Sequence, residues 1–231
     1  MKRGCPMATY LKRQVIRIIA FIVLLIIYLI NSGQLTTATG YAKSNPGLAT
    51  KYIGIMLMTM AVILALFAWL YRRQLQQGNP HHFKKRPFTT KSILQLFGFF
   101  IGMLAVQVLW SQLIVHHILP MPTNQSEVNA QALQLPFWNN FYSVVAAPVF
   151  EEFIFRGFFF NFFFAKNNRW SVFFGILISG CIFGFLHTLS FSVTTLFYSG
   201  LGWILAGCYL HFKDIRYDMA LHFMNNLWSI L

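Results

Sequence analysis

The stretch Ala147-Pro-Val-Phe-Glu-Glu-Phe-Ile-Phe-Arg-Gly157 places Glu151, Glu152 and Arg156 inside a run of apolar and aromatic side chains. The chain has 5 Asp and Glu residues in total, and two of them are adjacent here. A charged side chain at the centre of a bilayer costs about 2.5–3.5 kcal/mol on insertion scales, so such residues usually mark a function. The stretch therefore predicts a helix at membrane depth whose charged side chains have a function.

The composition is that of a membrane protein. Of 231 residues, 57% are hydrophobic, 10% are charged and 26 are phenylalanine, and the apolar residues form runs long enough to cross a bilayer. We expect an all-α, polytopic helix bundle in the cell membrane. No polar stretch is long enough to fold separately, which predicts one integral domain.

Seven transmembrane helices are predicted, and positions 1–135 (three helices and a basic loop) precede a membrane-embedded core at 136–231. The predicted spans are Ile18–Ile30, Ile53–Tyr71, Ser92–Val115, Phe137–Ala165, Trp170–His187, Val193–Leu210 and Met219–Leu231. Turn-forming residues in Asn31–Lys51 predict a loop between the first two spans. We expect the first helix to be retained and not cleaved as a signal peptide.

The net charge of +13 is distributed in a way that predicts topology. Basic residues collect before the first span, in Arg72–Lys91 and in two later loops, whereas the other side has Lys43 and Lys51. This asymmetry predicts a cytoplasmic N-terminus, and we expect a bacterial cytoplasmic membrane. Anionic lipid headgroups are the expected partners of these charges, and no nucleic-acid binding is expected.

Two further groups of residues carry weaker predictions. His81 and His82 lie in the basic loop and are predicted to be solvated. Cys5, Cys181 and Cys208 are odd in number and unclustered, which predicts free thiols and neither a disulfide framework nor a cysteine metal site.

The spacing within the opening stretch separates the two acids. Glu152 and Arg156 are four residues apart, so on a helix they share a face and can form a structural pair. Glu151 is rotated by about 100° from its neighbour and can point into a cavity. Pro148 removes one helical hydrogen bond, which predicts a kink that admits water at membrane depth.

Two histidines are also predicted at membrane depth. His187 ends the fifth span, and His222 lies four residues before Asn226, so these two share a helix face. A lone intramembrane histidine usually serves helix contacts. Two histidines and Glu151 on three helices indicate a functional site instead, although straight helices would place His187 and His222 about 10 Å apart along the membrane normal.

The three motifs, in this order, resemble a known family. Glu-Glu-x-x-x-Arg at 151–156, Phe-x-x-x-His at 183–187 and His-x-x-x-Asn at 222–226 are similar to the CPBP membrane peptidases. That family includes CAAX prenyl endopeptidases and bacterial abortive-infection and bacteriocin-processing proteins. The resemblance covers Tyr142–Asn226.

The resemblance implies an endopeptidase that hydrolyses a peptide bond within the bilayer. Glu151 would be the general base that activates water, and His187 would help to hold that water. His222 and Asn226 would donate hydrogen bonds to the oxyanion. The substrate would be a membrane-associated peptide or protein, including hydrophobic or lipidated ones.

Two questions of chemistry stay open at this point. Glu151, His187 and His222 are also a legitimate ligand set for zinc, which would make the enzyme a metalloprotease, whereas the base mechanism needs no cofactor. The phenylalanines of Phe153–Phe164 are predicted to face lipid and pack helices, with an apolar groove for a lipidated substrate as the alternative.

Two other functions use the same residues. A bacteriocin-immunity or regulatory membrane protein on this scaffold would keep its biological activity in a Glu151→Gln variant. A transporter or proton pathway would also bury Glu, His and Arg, although no internal repeat is visible, and proton flux in liposomes would reveal it.

Overall fold

The computed structural model describes residues 6–120 and 122–230, and in these ranges every regular element is a helix. The predicted all-α membrane bundle is confirmed. Lys2, Arg3, Cys5 and Leu231, on which some predictions rest, lie outside the described residues. The helices are α1 (Pro6–Tyr41), α2 (Pro46–Gln77), α3 (Thr90–Val115), α4 (Thr123–Ala132), α5 (Pro136–Phe141), α6 (Ala147–Glu152), α7 (Phe159–Phe163), α8 (Arg169–Thr188), α9 (Val193–Phe212) and α10 (Ile215–Trp228), with π-helical segments π1 (Tyr142–Ala146) and π2 (Phe153–Phe158).

Five of the described helices are long and apolar enough to cross a membrane. They are Tyr10–Tyr41 within α1, and α2, α3, α8 and α9. The other two predicted spans differ from simple α-helices. One is the motif helix, the continuous run from α5 to α7 that π1 and π2 interrupt. The other is α10, which has 14 residues.

The loop predicted at Asn31–Lys51 is mostly helical. α1 continues to Tyr41 and α2 begins at Pro46. The polar residues do not end α1, because they find partners within the α1–α2 pair. Asn31 Nδ2 donates to the carbonyl of Met56 at 2.9 Å and to Thr59 Oγ1 at 2.7 Å. These bonds satisfy groups that would otherwise be costly in an apolar environment.

The phenylalanine-rich part of the motif helix packs in the protein interior. Five of its eight rings, those of Phe153, Phe155, Phe158, Phe159 and Phe160, are buried. The prediction that these residues face lipid was wrong for those five, whereas their predicted role in helix packing is confirmed. They surround the helix on more than one face, so they form a core and not an open groove for a lipidated substrate.

The basic loop between α2 and α3 packs against the start of α10. The Arg86 backbone N–H donates to Asp214 Oδ2 at 2.7 Å, and the Arg216 guanidinium donates to both oxygens of Asp214. Burial raises the pKa of Asp214, but these bonds outweigh burial, so the pKa lies below its ordinary value. The loop therefore fixes where α10 begins.

One histidine of this loop is not solvated. His81 is buried, with Nε2 at 2.7 Å from the carbonyl oxygen of Phe164, so the prediction of solvation was wrong for His81. His82 is exposed, as predicted. The contact ties the loop to the end of the motif helix, and Phe164 follows α7 where backbone carbonyls lack helical partners.

Glycines let α8 and α9 approach closely. A Cβ atom on Gly184 would overlap the Ser199 hydroxyl and lie 2.5 Å from the Thr195 carbonyl oxygen. A Cβ on Gly202 would lie 2.8 Å from the Gly180 Cα. Small residues at such crossings are typical of membrane helix pairs. Because His187 follows Gly184 by one turn on α8, this contact also positions a site residue.

Replacing Gly184 with leucine should separate α8 from α9. Overpacking of a tight contact costs about 1–3 kcal/mol, so we expect a clear fall in thermal stability of the detergent-purified protein. Gly98→Leu is the matched control, because nothing lies within 4 Å of the Cβ position there. Equal stability of the two variants would contradict the close packing.

Candidate active site

The Glu151 carboxylate lies where the motif helix meets α1, α8 and α10. It is 7% exposed, and Tyr28 on α1 donates its hydroxyl hydrogen to Oε1 at 2.7 Å. The other oxygen, Oε2, is 4.0 Å from His187 Nε2 and 3.8 Å from His222 Nε2. These separations are too long for direct hydrogen bonds and leave room for a small group between the three side chains.

The two histidines are oriented by their Nδ1 atoms. His187 Nδ1 is 2.8 Å from the Phe183 carbonyl oxygen, and His222 Nδ1 is 2.6 Å from Glu152 Oε1. Both partners accept hydrogen bonds, so the hydrogens are assigned to Nδ1 in each ring. The Nε2 atoms of both rings therefore face Glu151.

The expected difference in depth between His187 and His222 is not found. His187 is one residue before the end of α8, yet it approaches the same carboxylate that Tyr28 contacts. Tyr28 lies about 20 Å before the end of α1 at 1.5 Å per residue. The α8–α9 turn, where Leu189 and Phe191 are exposed, therefore lies closer to the level of Tyr28 than to the level of the end of α1, because α8 has 20 residues and α1 has 36.

Glu152 and Arg156 form the predicted pair, and both are 0% exposed. Arg156 donates from one guanidinium nitrogen to Glu152 Oε1 at 2.9 Å and from another to the Gly202 carbonyl at 3.1 Å. The guanidinium also lies 4.9 Å from the centre of the Phe183 ring. This pair joins the motif helix to α8 and α9, and through His222 to α10.

Helical structure continues through Pro148, so the motif helix is not broken there. The preceding turn widens into π1, where the Ala147 N–H donates to the Tyr142 carbonyl five residues earlier. In that pattern the Ser143 carbonyl would pair with residue 148, which has no N–H. The Ser143 carbonyl instead accepts a hydrogen bond from Asn226 Nδ2 at 2.8 Å. Such π turns are often found at functional sites.

Asp218 is a buried acid that lies one residue before the last predicted span. Its side chain is 0% exposed and lies against the carboxyl group of Glu152. Two carboxyl groups in such a place repel each other when both are ionised. The signal in the sequence was its spacing of four residues from His222, which puts both on one face of α10.

Tyr28 is a second residue that sequence reasoning missed. It lies in the first predicted span, where no motif was recognised, and contacts Glu151 across 123 positions of sequence. A tyrosine in an apolar run is common, so no pattern within that helix marks it. Its contact with Glu151 depends on the tertiary structure alone.

The zinc ligand set of Glu151, His187 and His222 stays a prediction. Within the described part of the chain, no group of three His, Cys, Asp or Glu side chains is arranged to hold a metal ion. The Nε2 atoms and Glu151 Oε2 surround a space large enough for water, and the Nδ1 atoms are already bonded within the protein.

A cavity of about 790 Å³ extends from this site, and its wall includes Glu151, His187, His222 and Asn226. Four of the six residues predicted for the site are therefore brought together around one space. Glu152 and Arg156 lie behind it in the protein interior. The chemical roles assigned to all six residues stay predictions.

Comparison with known proteins agrees with the three motifs. Residues 133–228 match the family model described as type II CAAX prenyl endopeptidase, Rce1-like. Searches of curated proteins and of solved structures returned no match. The matched range contains Glu151, Arg156, His187, His222 and Asn226. Residues 133–228 are therefore similar to the Rce1-like CAAX-type membrane peptidases, the family that the three motifs predict.

Proposed function

We propose that this multi-pass membrane protein is an endopeptidase that hydrolyses a peptide bond with water activated by Glu151. The observation that supports it most directly is the position of Glu151 Oε2, which faces the Nε2 atoms of His187 and His222 across 4.0 Å and 3.8 Å. A water molecule between these atoms would be within hydrogen-bond reach of all three. The family match supports the same class of reaction.

In the first step Glu151 takes a proton from this water as its oxygen attacks the scissile carbonyl carbon. His187 Nε2, which carries no hydrogen when Nδ1 is bonded to Phe183, accepts the second water hydrogen and orients the molecule. Tyr28 holds Glu151 Oε1, so Oε2 is the oxygen that acts as the base. Such proton transfer is typically worth about 10²–10⁴-fold in rate.

The carbonyl π electrons move to oxygen and form an oxyanion. With hydrogens on both ring nitrogens, His222 donates from Nε2 to that oxygen, while Glu152 supports Nδ1. Asn226 uses one amide hydrogen for Ser143, and the second can face the oxyanion. When the carbon–nitrogen bond breaks, Glu151 returns its proton to the leaving amine, giving a carboxylic acid and an amine.

Glu152 and Arg156 act on this chemistry through His222. The Arg156 charge compensates that of Glu152 in a place without water, and Glu152 in turn orients the imidazole. The mechanism requires no metal ion. The substrate class is a membrane-associated peptide or protein, and the bacterial cytoplasmic membrane is the proposed location.

Comparative peptidomics of membranes tests the proposal even while the substrate is unidentified. Peptides with new termini should accumulate with the wild type and be lost with Glu151→Gln, because an amide cannot accept the water proton. His187→Ala and His222→Ala should lose them as well, by about 10²-fold or more. Unchanged peptide patterns with normally expressed Glu151→Gln protein would refute the proposal.

Tyr28→Phe should reduce the cleavage rate about tenfold, which is the effect of losing a hydrogen bond of about 1.4 kcal/mol to a charged group. KM should change less than kcat, because Tyr28 donates its hydrogen bond to the base itself. The matched control is Tyr52→Phe, whose ring stacks on Tyr41 away from the site. An equal loss in both variants would argue against a role in positioning Glu151.

Chelation distinguishes the proposed mechanism from the zinc alternative. Purified protein treated with EDTA and dialysed into metal-free buffer should keep its full cleavage rate, and metal analysis should find less than one equivalent of bound zinc. Loss of cleavage on chelation with recovery on adding Zn²⁺ would overturn the metal-free mechanism.

A further inference from the structure

The helix ends define two faces of the bundle, and they differ in charge. One face, called the basic face here, contains the α2–α3 loop, the α7–α8 connection and the α9–α10 turn. Contacts between Lys84 and Lys213, and between His81 and Phe164, place these connections together. Their cations are Arg72, Arg73, Lys84, Lys85, Arg86, Lys91, Lys166, Arg169, Lys213 and Arg216.

The opposite face contains the α1–α2 turn and the segment α4–α5. Tyr41 at the end of α1 stacks on Tyr52, and Thr39 bonds to Asn139 on α5. Contacts between α4 and α8 place the α8–α9 turn beneath this segment. The basic residues predicted here are Lys43 and Lys51. By the positive-inside rule this face lies on the trans side of the membrane, away from the cytoplasm.

The cavity that starts at Glu151 leads to the opposite face. Its wall continues along the last third of α1 through Ser32 and Thr36, and along the end of α3 at Ile114. The residues nearest the mouth come from α4 and include Gln125 and Asn129. The α8–α9 turn leaves this side of the bundle open, whereas phenylalanines fill the interior between Glu151 and the basic face.

The cavity wall has a consistent chemical character. Although the chain has 18 Lys and Arg residues, none from the described ranges lines the cavity. Its acids are Glu127 near the mouth and Glu151 at the floor. Seven amide side chains lie in the rest of the polar lining beside serine, threonine and tyrosine hydroxyls, and Gln107 Nε2 donates to Asn225 Oδ1 at 2.5 Å. Side-chain amides can donate to the carbonyl groups of an extended peptide backbone and accept from its N–H groups.

We infer that the substrate enters from the trans face as an extended, neutral or cationic peptide segment, and that acidic segments are excluded. Glu127 attracts positive charge at the mouth, and no Lys or Arg in the described wall offsets it. The assignment of the segment as a substrate rests on the proposed endopeptidase function. The direction of entry rests on the cavity and on the distribution of basic residues, and the charge preference rests on the cavity wall.

Cysteine labelling in intact cells tests the direction of entry. In a variant with Cys5, Cys181 and Cys208 replaced by serine, Ser32→Cys should react with a membrane-impermeant maleimide added outside. Ile30→Cys is the matched control, because Ile30 is two residues away, 60% exposed on the outer surface of α1 and outside the cavity wall. It should stay unlabelled, since a thiol in lipid does not ionise.

Lys85→Cys in the basic loop reports the orientation and should be labelled only after permeabilisation. Labelling of Ser32→Cys only after permeabilisation, or not at all, would overturn entry from the trans face. Labelling of Lys85→Cys in intact cells would overturn it too. None of these results depends on cleavage, so an inactive protein with outside labelling would refute the proposed function and leave the direction of entry intact.

Protection from the same label tests the charge preference. An added Lys/Ala peptide should slow the labelling of Ser32→Cys at least threefold at low salt, whereas a Glu/Ala peptide of equal length should not. Adding Glu127→Gln should reduce the protection by the cationic peptide, because the charge at the mouth is lost. Equal protection by both peptides, or stronger protection by the acidic one, would overturn the preference.

Discussion

The structure depends on how it accommodates one carboxylate, that of Glu152, where no water can solvate it. An isolated ion in such surroundings costs several kcal/mol, and breaking a buried pair costs about 3–5 kcal/mol. Glu152 Oε1 accepts from Arg156 at 2.9 Å and from His222 at 2.6 Å. The same guanidinium reaches the Gly202 carbonyl. One buried charge thus fixes the relative positions of the motif helix, α9 and α10.

The geometry around Glu151 follows from this arrangement. His222 must turn its Nδ1 towards Glu152, so its Nε2 faces the neighbouring acid, which is rotated to the cavity side of the helix. Pro148 and Asn226 are connected in a similar way, because the carbonyl that proline leaves without a donor is the one that Asn226 bonds. Asn226 thus completes the backbone hydrogen bonding of the motif helix, in addition to its proposed role in the chemistry.

Sequence reasoning could predict the local pairs and the family, but not the contacts between distant helices. Glu152 and Arg156 are one helical turn apart, so periodicity was sufficient for their pairing. The contact between Tyr28 and Glu151 spans 123 positions, and its only cause is the packing of α1 against the motif helix. The polar residues after Asn31 predict a loop, and Asp218 falls outside the predicted spans, because a sequence does not reveal which polar groups find buried partners. The phenylalanines were ambiguous for the same reason, since lipid and a protein core favour the same side chains.

The claim that Glu151 activates water, and does not attack the substrate itself, is tested most directly by a single turnover in H₂¹⁸O with a peptide identified as a substrate. We expect one ¹⁸O atom in the new terminal carboxyl group and none in the enzyme peptide that contains Glu151. Label in Glu151, with unlabelled product from the first turnover, would show a covalent anhydride intermediate and contradict direct attack by water.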